Sequence, residues 1–202
     1  MFIRREVLEE LGGWDAYNVL VYSALGVRLY RAGYRTQMLS STTYEEANYL
    51  PWPWVKQRSR WLKGFMITYL VHMRQPMRLL AELGWRRFLG FQAFFIGTIG
   101  QFLFAPILWS FWLIALGLPH PGAGAVPMEV LRLAAAALVF FELLGLILGI
   151  AAAFAMGRPW MALWAPTMIL YFPMGAVAVA KAAYELLACP FFWDKTAHGI
   201  KA

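Results

Sequence analysis

Gln57, Arg60 and Trp61 stand at i, i+3 and i+4 within Gln57-Arg58-Ser59-Arg60-Trp61, so on a helix all three side chains leave from one face. Their types suit one chemistry. A guanidinium offers a planar fork to phosphate oxygens, an amide adds a directional hydrogen bond, and an indole gives a flat surface on which a sugar ring can stack. The same residues also suit a helix at a membrane boundary, where tryptophan anchors and arginine meets headgroups. Spacing alone leaves both readings open.

The stretch sits between a basic segment and more than a hundred strongly apolar residues. Of 202 residues, 61% are hydrophobic and only 14% are charged, far more apolar than the core of a soluble domain requires. Phe88 to Leu118 and Pro159 to Ala180 carry no charge, and Leu133 to Gly157 carries only Glu142. Each run reaches the roughly 20 residues that a helix needs to cross about 30 Å of hydrocarbon. The expectation is a mainly α membrane protein with about three transmembrane helices, or four if one is broken. Pro106, Pro166 and Pro173 remove backbone donors that hydrocarbon cannot replace, so kinks are expected there, with Pro173 dividing the last segment.

Residues 1 to 87 hold 13 Lys/Arg against 7 Asp/Glu, and residues 88 to 202 hold 5 against 4. Arg74, Arg78, Arg86 and Arg87 lie just before the first apolar run, and the linker from Leu118 to Met128 is uncharged, which places the N-terminal segment in the cytoplasm of a multi-pass inner-membrane protein. The excess of cations beside membrane segments points to anionic lipid or a phosphorylated substrate, and not to nucleic acid. Cys189 is alone and His72, His120 and His198 are far apart, so no disulfide and no metal site is expected. Met1 leads into the charged FIRREVLEELGGWD, which is no cleavable signal, so membrane entry is expected to rely on the later segments.

Phe2 to Leu11 reads as an amphipathic helix stopped by Gly12-Gly13, Val19 to Tyr34 as a second helix ending at Gly33, and Thr36 to Tyr44 as a short strand. So few elements cannot close a core, which makes residues 1–50 the tail of a larger α/β domain. Pro51 and Pro53 preset a helix over Trp54 to Met73 that ends before Gln75-Pro76. With cations on one side and Trp61, Leu62, Phe65, Met66, Tyr69 and Leu70 on the other, it should lie in the headgroup plane. Arg74 to Arg87 reads as a second interfacial segment. The division is 1–50, an interfacial part 51–87, a membrane part 88–189 and a tail 190–202. Glu142 is expected to meet a protein partner such as Lys181, which is also spaced for an i,i+4 pair with Glu185.

FIRREVLEELGGWD, LGVRLYRAGYRTQML, TTYEEANYLPWPWVKQRSRWLKG with its Q-x-x-R-W pattern, and the closing PFFWDKTAHG together resemble the C-terminal, membrane-embedded part of the family 2 glycosyltransferases, relatives of cellulose, hyaluronan and chitin synthases. The resemblance implies that residues 1–50 are a remnant of a GT-A type α/β domain. It implies that Gln57 and Arg60 contact the diphosphate of a nucleotide-sugar donor, that Trp61 stacks on the glycan acceptor, and that Trp193, Lys195 and Thr196 lie near the nucleotide. Mg or Mn would belong to a preceding donor-binding half carrying a D-x-D motif, which this sequence does not contain. Where the family pattern reads T-E-D, the Asp being the general base, this chain has Leu20-Val21-Tyr22, and the phenol of Tyr22 is a poor proton acceptor at neutral pH. The chain alone is therefore expected to be inactive, working with a separate donor-binding half or a synthase subunit. The alternatives are a non-catalytic membrane scaffold, or a small transporter or anchor whose basic helix binds lipid.

Overall fold

A computed structural model describes residues 2–14, 21–37, 39, 41, 48 and 50–192. The elements are α1 (Arg5–Glu10), α2 (Val21–Arg31), α3 (Pro51–His72), α4 (Pro76–Leu83), α5 (Trp85–Leu103), α6 (Ala105–Ala115), α7 (Met128–Ala155), a 3₁₀ helix (Pro159–Leu170) and α8 (Tyr171–Ala188). The described residues contain no strand, only an isolated bridge between Ala123 and Val126. Of the expected strand over 36–44, Thr36, Gln37, Leu39 and Ser41 are irregular and the rest lie outside the described residues. Among the described residues of 1–50, the regular elements are α1 and α2.

The helix ends follow local chemistry. At the end of α1 the Gly12 N–H meets the Glu9 carbonyl at 2.9 Å and the Gly13 N–H meets Leu8 at 2.8 Å, while α2 ends the same way through Gly33 and Tyr34. This double bond needs a left-handed residue after the helix, which Gly12 (φ 78°) and Gly33 (φ 84°) supply without a side-chain clash. Helix α3 begins three residues earlier than expected because Pro51 and Pro53 fit its first turn, where backbone donors have no partner anyway.

The described residues form two compact units, one from 1–101 with 177–202 and one from 102–176. In the first, Leu79 and Leu83 of α4 meet Phe91 and Phe95 of α5, with Val27, Tyr30, Phe65 and Tyr69 packed around them. Aromatic rings do most of the filling: Phe91 and Phe95 lie 4.7 Å apart, and Tyr69 stacks on Phe91 at 5.7 Å. The Tyr69 hydroxyl donates to Gln92 Oε1 at 2.8 Å, fastening α3 to α5.

In the second unit α7 packs on α6 and on the 3₁₀ helix. Leu133, Phe140, Phe141, Ile147 and Leu148 of α7 are exposed, as a helix apolar on all sides must be when lipid is its solvent. Of the three expected spans, only α7 is long and apolar enough to cross by itself. Helices α5 and α6 form a pair bent by 62° where Pro106 interrupts the run, and the 3₁₀ helix and α8 form a pair bent by 54° near Pro173, each a broken span or a re-entrant loop. His120 lies in the turn before α7, accepting from the Gly122 N–H at 2.9 Å and bonding Ser110 Oγ at 2.8 Å.

A polar hub joins α2, α3 and α4. Arg31 Nε binds Glu82 at 2.6 Å, Glu82 also takes Arg78 at 2.8 Å, and Arg31 Nη1 donates to His72 Nδ1 at 2.9 Å. Because Arg31 can only donate, His72 is neutral with its proton on Nε2. Burial, and then the positive charges of Arg31 and Arg28, bring its pKa from 6.5 down to about 4. With the folded value below the unfolded one, His72 leaves stability untouched above pH 6.5 and erodes it as pH falls from 6.5 toward 4. Glu82, held below its usual 4.5 chiefly by the bond from Arg31, gives way only further down. The melting temperature of the detergent-solubilised protein should be level above pH 7 and fall between 6.5 and 4. His72→Gln, which still accepts from Arg31, should flatten that fall; an unchanged slope would show that another group causes it.

Candidate functional site

Gln57, Arg60 and Trp61 lie on one uninterrupted helix, α3, and all three are half-buried. The face that carries Gln57 and Trp61 continues through Gly64, Thr68 and His72, at steps of three and four residues. Helix α2 covers that continuation: Ser23 Oγ lies 3.2 Å from Thr68 Oγ1, and further on Arg31 meets His72. The order of these contacts turns the N-terminal end of α2, with Tyr22, toward the Gln57–Trp61 end of α3. The Tyr22 ring is 64% exposed and meets Trp14 edge-on at 6.0 Å.

Trp61 does not stand alone. The Arg58 guanidinium lies 4.7 Å from the Trp61 ring and 5.3 Å from that of Trp54, a cation held between two indoles at i−4 and i+3. Burial lowers the pKa of Arg58, and its Nε is enclosed with no hydrogen-bond partner. One region of the Trp61 ring surface is thus committed to Arg58. Sequence reasoning passed over Arg58, although aromatic residues three and four positions away were a visible signal for such a stack.

Burial on α3 departs from the expected amphipathic pattern. The first half buries Val55, Ser59, Leu62 and Lys63, and the second buries Gly64, Thr68 and His72, so the covered stripe changes sides along the helix. Lys63, expected on a solvated basic side, is 1% exposed. Its ammonium donates to the Cys189 carbonyl at 2.9 Å and the Phe192 carbonyl at 3.0 Å, just beyond α8. A helix C-terminus presents unpaired carbonyls and partial negative charge, and a cation satisfies both. The last described residue, Phe192, is therefore held on the buried side of α3. Trp193, Lys195 and Thr196 lie outside the described residues.

Lys181, the expected partner of Glu142, pairs with Glu185 in its own helix. For the Mg or Mn that the resemblance implies, no three His, Cys, Asp or Glu side chains come together among the described residues.

The chain is similar to the Probable glycosyltransferase YdaM of Bacillus subtilis (strain 168), with 32% identity over 78 residues, or 38% of this chain and 19% of that protein. No family model matches the chain, and no solved structure matches it.

Lys63→Met would remove two charge-assisted bonds and take the ammonium from the Phe192 carbonyl, while the Cys189 carbonyl keeps the Phe192 N–H, an expected loss of about 3 kcal/mol. Chemical denaturation of the purified protein in detergent measures this, and a midpoint equal to wild type would refute the assigned contact.

Proposed function

We propose that this chain is the membrane-embedded part of a family 2 glycosyltransferase that extends a polysaccharide from a nucleotide-sugar donor, with residues 1–87 in the cytoplasm. In this reading Gln57 and Arg60 bind the donor diphosphate and Trp61 supports the acceptor sugar. The acceptor oxygen attacks the anomeric carbon, the bond to the diphosphate breaks, and the negative charge gathering on the departing phosphate is met by the Arg60 guanidinium. The hydroxyl proton needs a base, and Tyr22 is a poor one. Turnover then depends on a donor-binding half and a carboxylate that this chain does not provide, and any Mg or Mn would reside there too.

The observation that carries the reading is the likeness to a probable glycosyltransferase, joined to a site helix whose Gln57, Arg60 and Trp61 share one face. In this reading Trp193, Lys195 and Thr196 lie near the nucleotide.

The contact of Lys63 with the Phe192 carbonyl bears on topology. A lysine side chain is far shorter than the roughly 30 Å of hydrocarbon, so Lys63, before the apolar segments, and Phe192, after them, belong on one side of the bilayer. An even number of crossings follows: α7 and one bent pair cross, and the other pair turns back. A C-terminal alkaline phosphatase fusion should be inactive and a green fluorescent protein fusion bright; the reverse pattern would exclude the even count.

Expressed with a donor-binding half and with Tyr22→Asp, the chain should incorporate radiolabelled sugar into polymer. Arg60→Ala should lower that rate about 100-fold, the equivalent of losing roughly 3 kcal/mol of charged hydrogen bonding. Polymer made at the parental rate by that variant would remove Arg60 from the site, and polymer made by the unmodified chain alone would overturn the dependence on a second half.

A further inference from the structure

Beside the start of α5 a groove of about 350 Å³ opens within the first unit, floored by Phe91 and Phe95 and bordered by Gly26 and Tyr30 of α2 and by Phe94 and Arg87 of α5. It is apolar along its length and cationic at one end. The space over Gly26 is open, a Cβ there meeting no atom within 4 Å. The Arg87 guanidinium rests on the Tyr30 ring at 4.8 Å, and no carboxylate lines the groove. Stacking uses the flat of the guanidinium and leaves its N–H edge for an acceptor, the geometry that grips two phosphate oxygens at once. Helix α5 starts at Trp85 and leads into an uncharged run that opens the first apolar segment, so Arg87 lies at the headgroup-side end of that run.

We propose that this groove is a binding site for one anionic phospholipid, its phosphate on Arg87 and one acyl chain along Phe91, Phe94 and Phe95. A water-soluble phosphate does not fit the chemistry, because the apolar walls strip its hydration and give no second cation in return. A zwitterionic lipid matches the walls but carries its own cation to the Arg87 end. Gln57, Arg60 and Trp61 do not line the groove, although Tyr22 and Ser23 do, and lipid retention is read without any sugar transfer.

Native mass spectrometry of the full chain, released from detergent with palmitoyl-oleoyl phosphatidylglycerol or phosphatidylcholine at equal concentration, tests the assignment. Phosphatidylglycerol should be retained about fivefold more, the discrimination that one arginine near a headgroup supplies. Arg87→Gln should abolish that preference while Arg86→Gln keeps it. Gly26→Leu, which fills the open space and leaves the cation in place, should cut retention of phosphatidylglycerol to the level of phosphatidylcholine, so the test survives a poorly folded Arg87 variant. Equal retention of the two lipids by the wild type, an undiminished preference in Gly26→Leu, or displacement of phosphatidylglycerol by millimolar inorganic phosphate would each overturn the proposal.

Discussion

A charged ammonium removed from water must find acceptors or give up its charge, and Lys63 finds two of them on the backbone just past α8. The contact closes a loop of 126 residues between donor and first acceptor. Everything from α4 to α8 is strung between its ends. No apolar substitute can do the same work, since it would supply neither the charge nor a donor to the Phe192 carbonyl, the Cys189 carbonyl alone keeping a bond from the Phe192 N–H. The first unit is therefore assembled from both ends of the sequence, with α3 as the member that both ends touch.

Helix α3 meets two demands that conflict for a uniformly amphipathic helix. In its first half Gln57, Arg60 and Trp61 are half-buried and the fully covered residues lie on the opposite side. Its second half must bury that same face under α2, and small or neutral groups stand there: Gly64, Thr68 and the uncharged His72. Polar residues are spent on this burial, each with a partner: Thr68 with Ser23 and the Gly64 carbonyl, His72 with Arg31. Neutrality of His72 is a condition of the arrangement, because a second positive charge against Arg31 would push α2 away from α3.

Local rules made the helix boundaries legible. Gly12-Gly13, Gly33 and Gln75-Pro76 each stop a helix by a mechanism confined to a few residues, and Pro106 marks the bend after α5. The placement of Gln57, Arg60 and Trp61 on one helical face was equally readable, being a matter of periodicity. Lys63 was not. Its acceptors are backbone carbonyls far along the chain, and main-chain atoms leave no trace in a residue pattern. The buried stripe that changes sides on α3 was hidden for a related reason: it depends on which neighbours cover each half, and those neighbours come from distant sequence. Arg58 lies between the two cases, with its aromatic spacing in plain view and its importance masked by the better-known residues flanking it. The Thr- and Ser-rich stretch before α3 shows the opposite error, since alternation suggested a strand where the described residues are irregular.

Cys189 is the single thiol of the protein, half-exposed, and its own carbonyl is one of the two that Lys63 holds. Nature has thus placed one reactive sulfur at the joint where the two ends of the chain meet. As the one cysteine in the sequence, it offers a single attachment point at that joint for a spectroscopic label, with no background from other thiols.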